Sequence, residues 1–211
     1  LQLHYHPSGK EELDQSMVGI HFADKPIEKT VGGLALINFD VHIPANEPRH
    51  KMSHSFTTPV DLEIIDVTPH MHVIGTEMKV TATLPDGRVL PLIHSNWDFN
   101  WQDVYRFRDV VRLPKGTRFD LEAYFDNSSA NPYNPNSPPA LVGFGEQTTD
   151  EMCICAFRLL EDPAKKDRQA LSLALRQNMQ EQMKNPRVML SVTKFMMTGN
   201  GRAKSKPTPA E

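Results

Sequence analysis

Met78-Lys79-Val80-Thr81-Ala82-Thr83-Leu84-Pro85-Asp86-Gly87-Arg88-Val89 is the stretch whose reading decides the fold. From Met78 to Leu84, apolar and polar side chains alternate with the period of two that gives a strand one apolar face. Pro85-Asp86-Gly87 then reads as a turn, because Asp-Gly tolerates the positive φ of tight hairpins, and the chain is expected to return from Val89. Outward from this hairpin, Val18 to Phe22, Leu34 to Phe39, Leu62 to Val67 and Phe119 to Phe125 carry similar short β-type runs. Lys115-Gly116 before Thr117 marks another tight turn. Many short strands, with almost no helical periodicity up to about Leu160, argue for an antiparallel sandwich or barrel.

The stretch Asn131 to Pro139 holds four prolines and three asparagines, so it cannot join a ladder and is expected as a surface loop. It leads into the segment that contains Met152. After Asp162 the pattern changes. Pro163 suits the first turn of a helix, and Leu171, Leu175, Met179 and Met183 recur at helical spacing, which predicts a helix over 163–184. Pro186 interrupts it, a shorter apolar segment reaches Met197, and 199–211 has a disordered composition.

The 211 residues can bury a substantial core. A formal net charge of -3, from 23 Lys and Arg against 26 Asp and Glu, sets up no field that would favour nucleic acid or an anionic membrane. A small, neutral substrate is the easier partner for such a chain. No apolar run approaches the ~18 residues of a membrane helix, and no signal-type leader is expected within the sequence. The opening run Leu1 to His6 alternates like a strand, without an initiator Met, and reads as a segment of a longer protein. The only cysteines, Cys153 and Cys155, lie two apart on a strand-like run and do not readily meet disulfide geometry.

Two motifs could carry chemistry. Thr68-Pro69-His70-Met71-His72 places two imidazoles on one face if the segment is a strand, about 7 Å apart at Cα, where both rings can converge on one ion. Taken alone, the pair is equally consistent with two half-exposed, satisfied histidines. In Asp150-Glu151-Met152-Cys153-Ile154-Cys155-Ala156-Phe157, Met152 could add a thioether, a soft donor that suits copper, and Cu(I) above all, better than zinc or magnesium. A single strand Met is ordinarily core packing. The alternation puts Cys153 and Cys155 on the face opposite Met152, as buried thiols. His4 and His6 share a face in the same way. His21, His42, His50, His54 and His94 have no pairing by spacing and read as surface or core residues. Trp97 and Trp101 read as core or loop anchors that could also line a pocket.

Leu1-Gln2-Leu3-His4-Tyr5-His6-Pro7, Pro69-His70-Met71-His72-Val73-Ile74-Gly75, and Gly143-Phe144-Gly145 followed by Asp150-Glu151-Met152-Cys153 occur in an order that resembles the copper type II, ascorbate-dependent monooxygenases. This is the family of dopamine β-monooxygenase and peptidylglycine α-hydroxylating monooxygenase. Val41-His42-Ile43-Pro44 and Leu113-Pro114-Lys115-Gly116 resemble landmarks between the motifs. The likeness covers about Leu1 to Leu160. Each motif is weak alone, and three in order make a specific match.

The resemblance implies an all-β fold, an antiparallel jelly-roll-like β-sandwich over 11–161. The helical extension, 162–198, has no counterpart in the family. It also implies a copper held by His70, His72 and Met152, which with molecular oxygen hydroxylates a C–H bond, and ascorbate as external reductant. His4 would be one ligand of a second, electron-transferring copper, on an N-terminal domain of the same polypeptide whose last strand is 1–10. The family setting implies an extracytoplasmic location. Peptide-amidating members carry Arg, Asn and Tyr where this chain has Thr68, Ile154 and Ala156, so a peptidylglycine carboxylate would lack a cationic partner. The cysteine pattern departs from the disulfide-paired animal enzymes and points to a bacterial-type relative. The expected substrate is a small organic molecule. The competing expectation is a non-catalytic copper-handling module.

Overall fold

The computed structural model describes residues 8–198. The expected strand at the N-terminus, with His4, and the tail at 199–211 lie outside the described residues. Ten strands and two helices follow in order: β1 Thr30–Ile37, β2 His42–Ile43, β3 His50–Thr57, β4 Leu62–His70, β5 Gly75–Thr83, β6 Val89–Asn96, β7 Tyr105–Leu113, β8 Arg118–Phe125, β9 Val142–Gly143, β10 Ile154–Glu161, α1 Asp167–Gln182 and α2 Pro186–Thr198. A first four-stranded sheet runs β1-β10-β4-β7 and a second runs β3-β8-β5-β6, with every pairing antiparallel; β2 and β9 form a short ribbon. This is the all-β sandwich with a C-terminal helical extension that the sequence implied. Both sheets interleave strands far apart in sequence, as in a jelly roll.

The hairpin at Asp86-Gly87 forms as read. Thr83 pairs with Val89, Gly87 has φ of 87°, and Leu84 N–H donates to the Arg88 carbonyl at 2.8 Å. The alternation then does its work: Met78, Val80 and Ala82 of β5 are buried against Phe119, Leu121 and Phe125 of β8 and against Leu34, Leu36, Phe157 and Leu159 of the first sheet. Burying side chains of this size contributes about 1.5–3 kcal/mol each before chain entropy is counted.

Two expectations fail. Val18 to Phe22 alternates like a strand, yet it forms none, and Val18, Ile20 and Phe22 are 64%, 72% and 88% exposed. The segment docks on none of the sheet edges, and an unpaired strand gains neither ladder bonds nor burial. Helix α1 begins at Asp167 rather than Pro163. Asp162 instead accepts from the Ala164 N–H through its side chain at 2.9 Å and from the Lys165 N–H through its carbonyl at 3.1 Å, which closes a turn first.

The helices lean on the sheets through specific anchors. Leu171 of α1 and Val188 and Val192 of α2 are buried. Gln182 donates to the Ile37 carbonyl at 3.0 Å and accepts from the Phe39 N–H at 3.1 Å, so its amide continues the edge of β1. Pro186 opens α2, where its missing N–H costs nothing, and Asn185 caps the Arg187 N–H at 3.0 Å. No helix among the described residues is long and apolar enough to cross a membrane.

Candidate metal centre

Strand β4 lies in the first sheet and β5 in the second, so Met71 to Ile74 must turn the corner between them. Met71 and Ile74 fill that corner, both fully buried. Gly75 is required there: a Cβ would meet Met71 Cβ at 2.8 Å and the Trp97 ring at 3.0 Å. The His-x-His pair therefore does not sit on one continuous strand. His70 is the last residue of β4, and His72 stands in the corner, only 5% exposed. The two rings still meet, with centroids 5.2 Å apart and planes at 84°.

What fixes the rings is a set of partners that the sequence reading did not include. Gln102 Nε2 donates to the Phe99 carbonyl at 2.9 Å, so its oxygen faces His70 Nδ1, also at 2.9 Å. An amide oxygen can only accept, and His70 must carry its proton on Nδ1. The Asp150 carbonyl lies 3.0 Å from His72 Nδ1 and imposes the same tautomer. In a neutral ring this leaves Nε2 with its lone pair, the form a metal takes. Burial lowers the pKa of both imidazoles; for His72 the neighbouring His70 adds to the lowering, while hydrogen bonding opposes it in both. Trp97 stands edge-on to His70 at 6.4 Å and donates its indole N–H to the His72 carbonyl at 2.9 Å, which makes it an anchor of the corner.

Glu151 is the largest surprise. Its side chain is fully buried and accepts from the backbone N–H groups of His72 at 2.7 Å, Ile74 at 3.0 Å and Met152 at 3.0 Å. One carboxylate oxygen thus bonds both the His72 and Met152 amides, which places those two backbones side by side. Burial pushes its pKa up to about 7 against the pull of these N–H donors. The sequence held a hint: an acidic residue immediately before the candidate Met, where the apolar run Met152-Cys153-Ile154-Cys155 begins.

Met152 precedes β10 rather than lying within it, half-buried and packed against the core. Ile154 pairs with His70, and beyond that pair the Glu151 carboxylate, bonded to both amides, holds the Met152 backbone beside that of His72. Cys153 and Cys155 face the core as free, fully buried thiols, as the alternation required. The geometry thus brings together two imidazoles, with the Met152 backbone bonded to the same carboxylate as that of His72. Among the described residues, no cluster of three or more His, Cys, Asp or Glu could hold a metal ion.

Of the other histidines, His42 lies close enough to His50 to lower its pKa, a smaller effect than burial, which also lowers it. His94 lies 2.9 Å from Glu77 on the surface. His54 is half-buried beside Asn178 of α1, and burial lowers its pKa. Trp101 is exposed.

No family model and no curated protein matches the chain. Among solved structures, a chain from the structure of infectious bursal disease virus, Gx strain, aligns over 75% of this chain and 39% of its own length, at 11% identity and a TM-score of 0.30. A similarity that low bears on neither site nor function.

Proposed function

We propose that the chain is the oxygen-activating copper domain of an ascorbate-dependent monooxygenase, with copper held by His70, His72 and Met152. What supports the reading most is the pair of rings, each with Nδ1 held as donor by Gln102 and Asp150, 5.2 Å apart, with Met152 hydrogen-bonded through the same carboxylate as His72. Neutral imidazole nitrogens and one thioether suit copper, and the soft sulfur favours its reduced state. Copper so held supplies the redox and oxygen chemistry for placing an oxygen atom in a substrate C–H bond.

The chain's own residues do the rest. Gln102 and Asp150 keep the ring protons away from the metal side, as second partners of metal-bound histidines commonly do. Glu151 and Trp97 hold the corner so that the two rings keep their spacing. Turnover on this reading also needs an electron-supplying copper domain, to which His4 would contribute one ligand, with ascorbate as reductant.

Copper stoichiometry tests the reading. One tightly held copper per chain, lost in His70→Ala, is expected; no tight copper would end it. Ascorbate-dependent oxygen consumption by the full-length protein then separates an oxygenase from a copper-handling module, which would bind the metal and consume none.

A further inference from the structure

Where β4 begins and β10 ends, the first turns of α1 close a cavity of about 460 Å³ against the sheet. That volume falls within the ~300–1,000 Å³ usual for small-molecule sites. Its floor is apolar: Val60, Leu62, Leu113 and Leu159, with Leu171 of α1, are all buried. The cavity lies at the other end of β4 from His70, roughly 25 Å away along the strand, and stands apart from the candidate metal centre.

Five carboxylates and four cations also line it, and nearly all are paired or in water. Glu63 pairs with Lys29 and, at 3.3 Å, with Arg112. Asp61 accepts the Lys115 N–H at 2.7 Å, and Asp162 accepts the Ala164 N–H at 2.9 Å. Lys165, Asp167 and Arg168 are exposed. Glu161 is the exception. Two residues beyond Leu159 on β10, it points to the core side, and its carboxylate fills the space over Gly32, where a Cβ would collide with it. Its Oε2 is buried and accepts no hydrogen bond among the described residues; the Arg168 guanidinium stands 3.8 Å off, on a side chain 71% exposed. A buried carboxylate oxygen without a donor is costly, and a ligand that brings a donor offsets that cost.

We propose that this cavity binds a small organic cation, a primary ammonium on an apolar body, with the ammonium donating to Glu161 and the body packed on the leucines. Among the described residues no aromatic ring lines the cavity, so it lacks the π faces that hold quaternary ammonium groups. The N–H donors of a primary amine are what the Glu161 oxygen selects. The site needs no copper and is independent of the proposed oxygenase chemistry.

Calorimetric titration of the whole chain with cyclohexylmethylammonium, cyclohexylmethanol and cyclohexanecarboxylate compares a cation, a neutral molecule and an anion of similar shape, and amide NMR shifts locate each. One ammonium per chain is expected, held ~10-fold or more tighter than the alcohol, with shifts at Glu161 and Leu171. Glu161→Gln should remove that preference and leave alcohol binding unchanged. Glu161→Asp, which draws the carboxylate back by one methylene, should weaken the ammonium in the same direction and serves if the first variant folds poorly. Arg168→Gln should leave the ammonium bound as tightly or more so, because it removes a competing cation.

An ammonium that binds no better than the alcohol, or that keeps its advantage in Glu161→Gln, would overturn the proposal. So would a carboxylate that binds most tightly and is lost in Arg168→Gln, since the rim cations would then be the site, or the absence of saturable binding by all three.

Discussion

The two outer faces of the sandwich are built from the same kind of strand and have opposite characters. On the second sheet, Lys79, Arg49 and His94 all converge on Glu77, at 2.7, 3.0 and 2.9 Å, and Lys51 pairs with Glu122. Arg49 also stacks over the Tyr124 ring at 4.1 Å. The Glu77 carboxyl is pushed down to about 2, chiefly by Lys79. On the first sheet, the corresponding face carries Ala35, Ile37, Ala156, Ile154, Thr68 and His70, and a helix covers part of it. Charge covers the second sheet's face, while the first keeps its ion pairs, Glu63 with Lys29 and Arg112, at the far end of β4 from His70 and leaves His70 across from Ile154. A histidine is thus read by its surroundings: His94 has a carboxylate and solvent, whereas His70 has an amide oxygen that aligns it and a second ring beside it.

The largest expected contrast comes from the histidines themselves. His70→Ala or His72→Ala should lower copper affinity by more than the ~10–100-fold that follows loss of a supporting hydrogen bond. His94→Ala on the other face should leave it unchanged; competition titration with a chromophoric chelator measures both. An equal loss in all three would erase the distinction between the faces.

Next comes Glu151→Gln. Both carboxylate oxygens accept backbone N–H groups, so an amide of the same shape must aim its NH₂ at a donor. A buried donor left without a partner costs about 1–3 kcal/mol, which urea unfolding would report, and copper affinity should fall with it. A Glu151→Gln chain of native stability would show that the carboxylate does not hold the corner.

Gln102→Ala should be milder, weakening copper ~10-fold or more with little change in unfolding, because Gln102 orients a ring and supports no core residue. Smaller still is the contrast of ion pairs. Asp66 is 0% exposed and bonded to Arg158 at 2.7 Å, so Arg158→Ala should lower the melting temperature. Lys51→Ala, on the solvated face, should leave it within error. Matching melting temperatures would mean that the first sheet gains nothing from its buried carboxylate.

Much of the fold was legible because its signals are local. Asp86-Gly87 has one cheap conformation, and the alternation in β5 and β8 has one buried face. Val18 to Phe22 misled because period two says which face a strand would bury and not whether the segment docks on an edge. Within the candidate site, spacing could nominate His70, His72 and Met152, and order along the chain could join them. Gln102, Asp150, Glu151 and Trp97 were not legible as partners, since each acts across a contact between segments distant in sequence or through a backbone atom. Glu151 reaches the His72 amide across 79 residues.

Anomalous scattering at the copper edge from crystals of the copper-loaded chain tests the central claim most directly. A single peak bounded by Nε2 of His70, Nε2 of His72 and Sδ of Met152 is the predicted result. No peak there after loading, or the principal peak at other histidines such as His42 and His50, would contradict it.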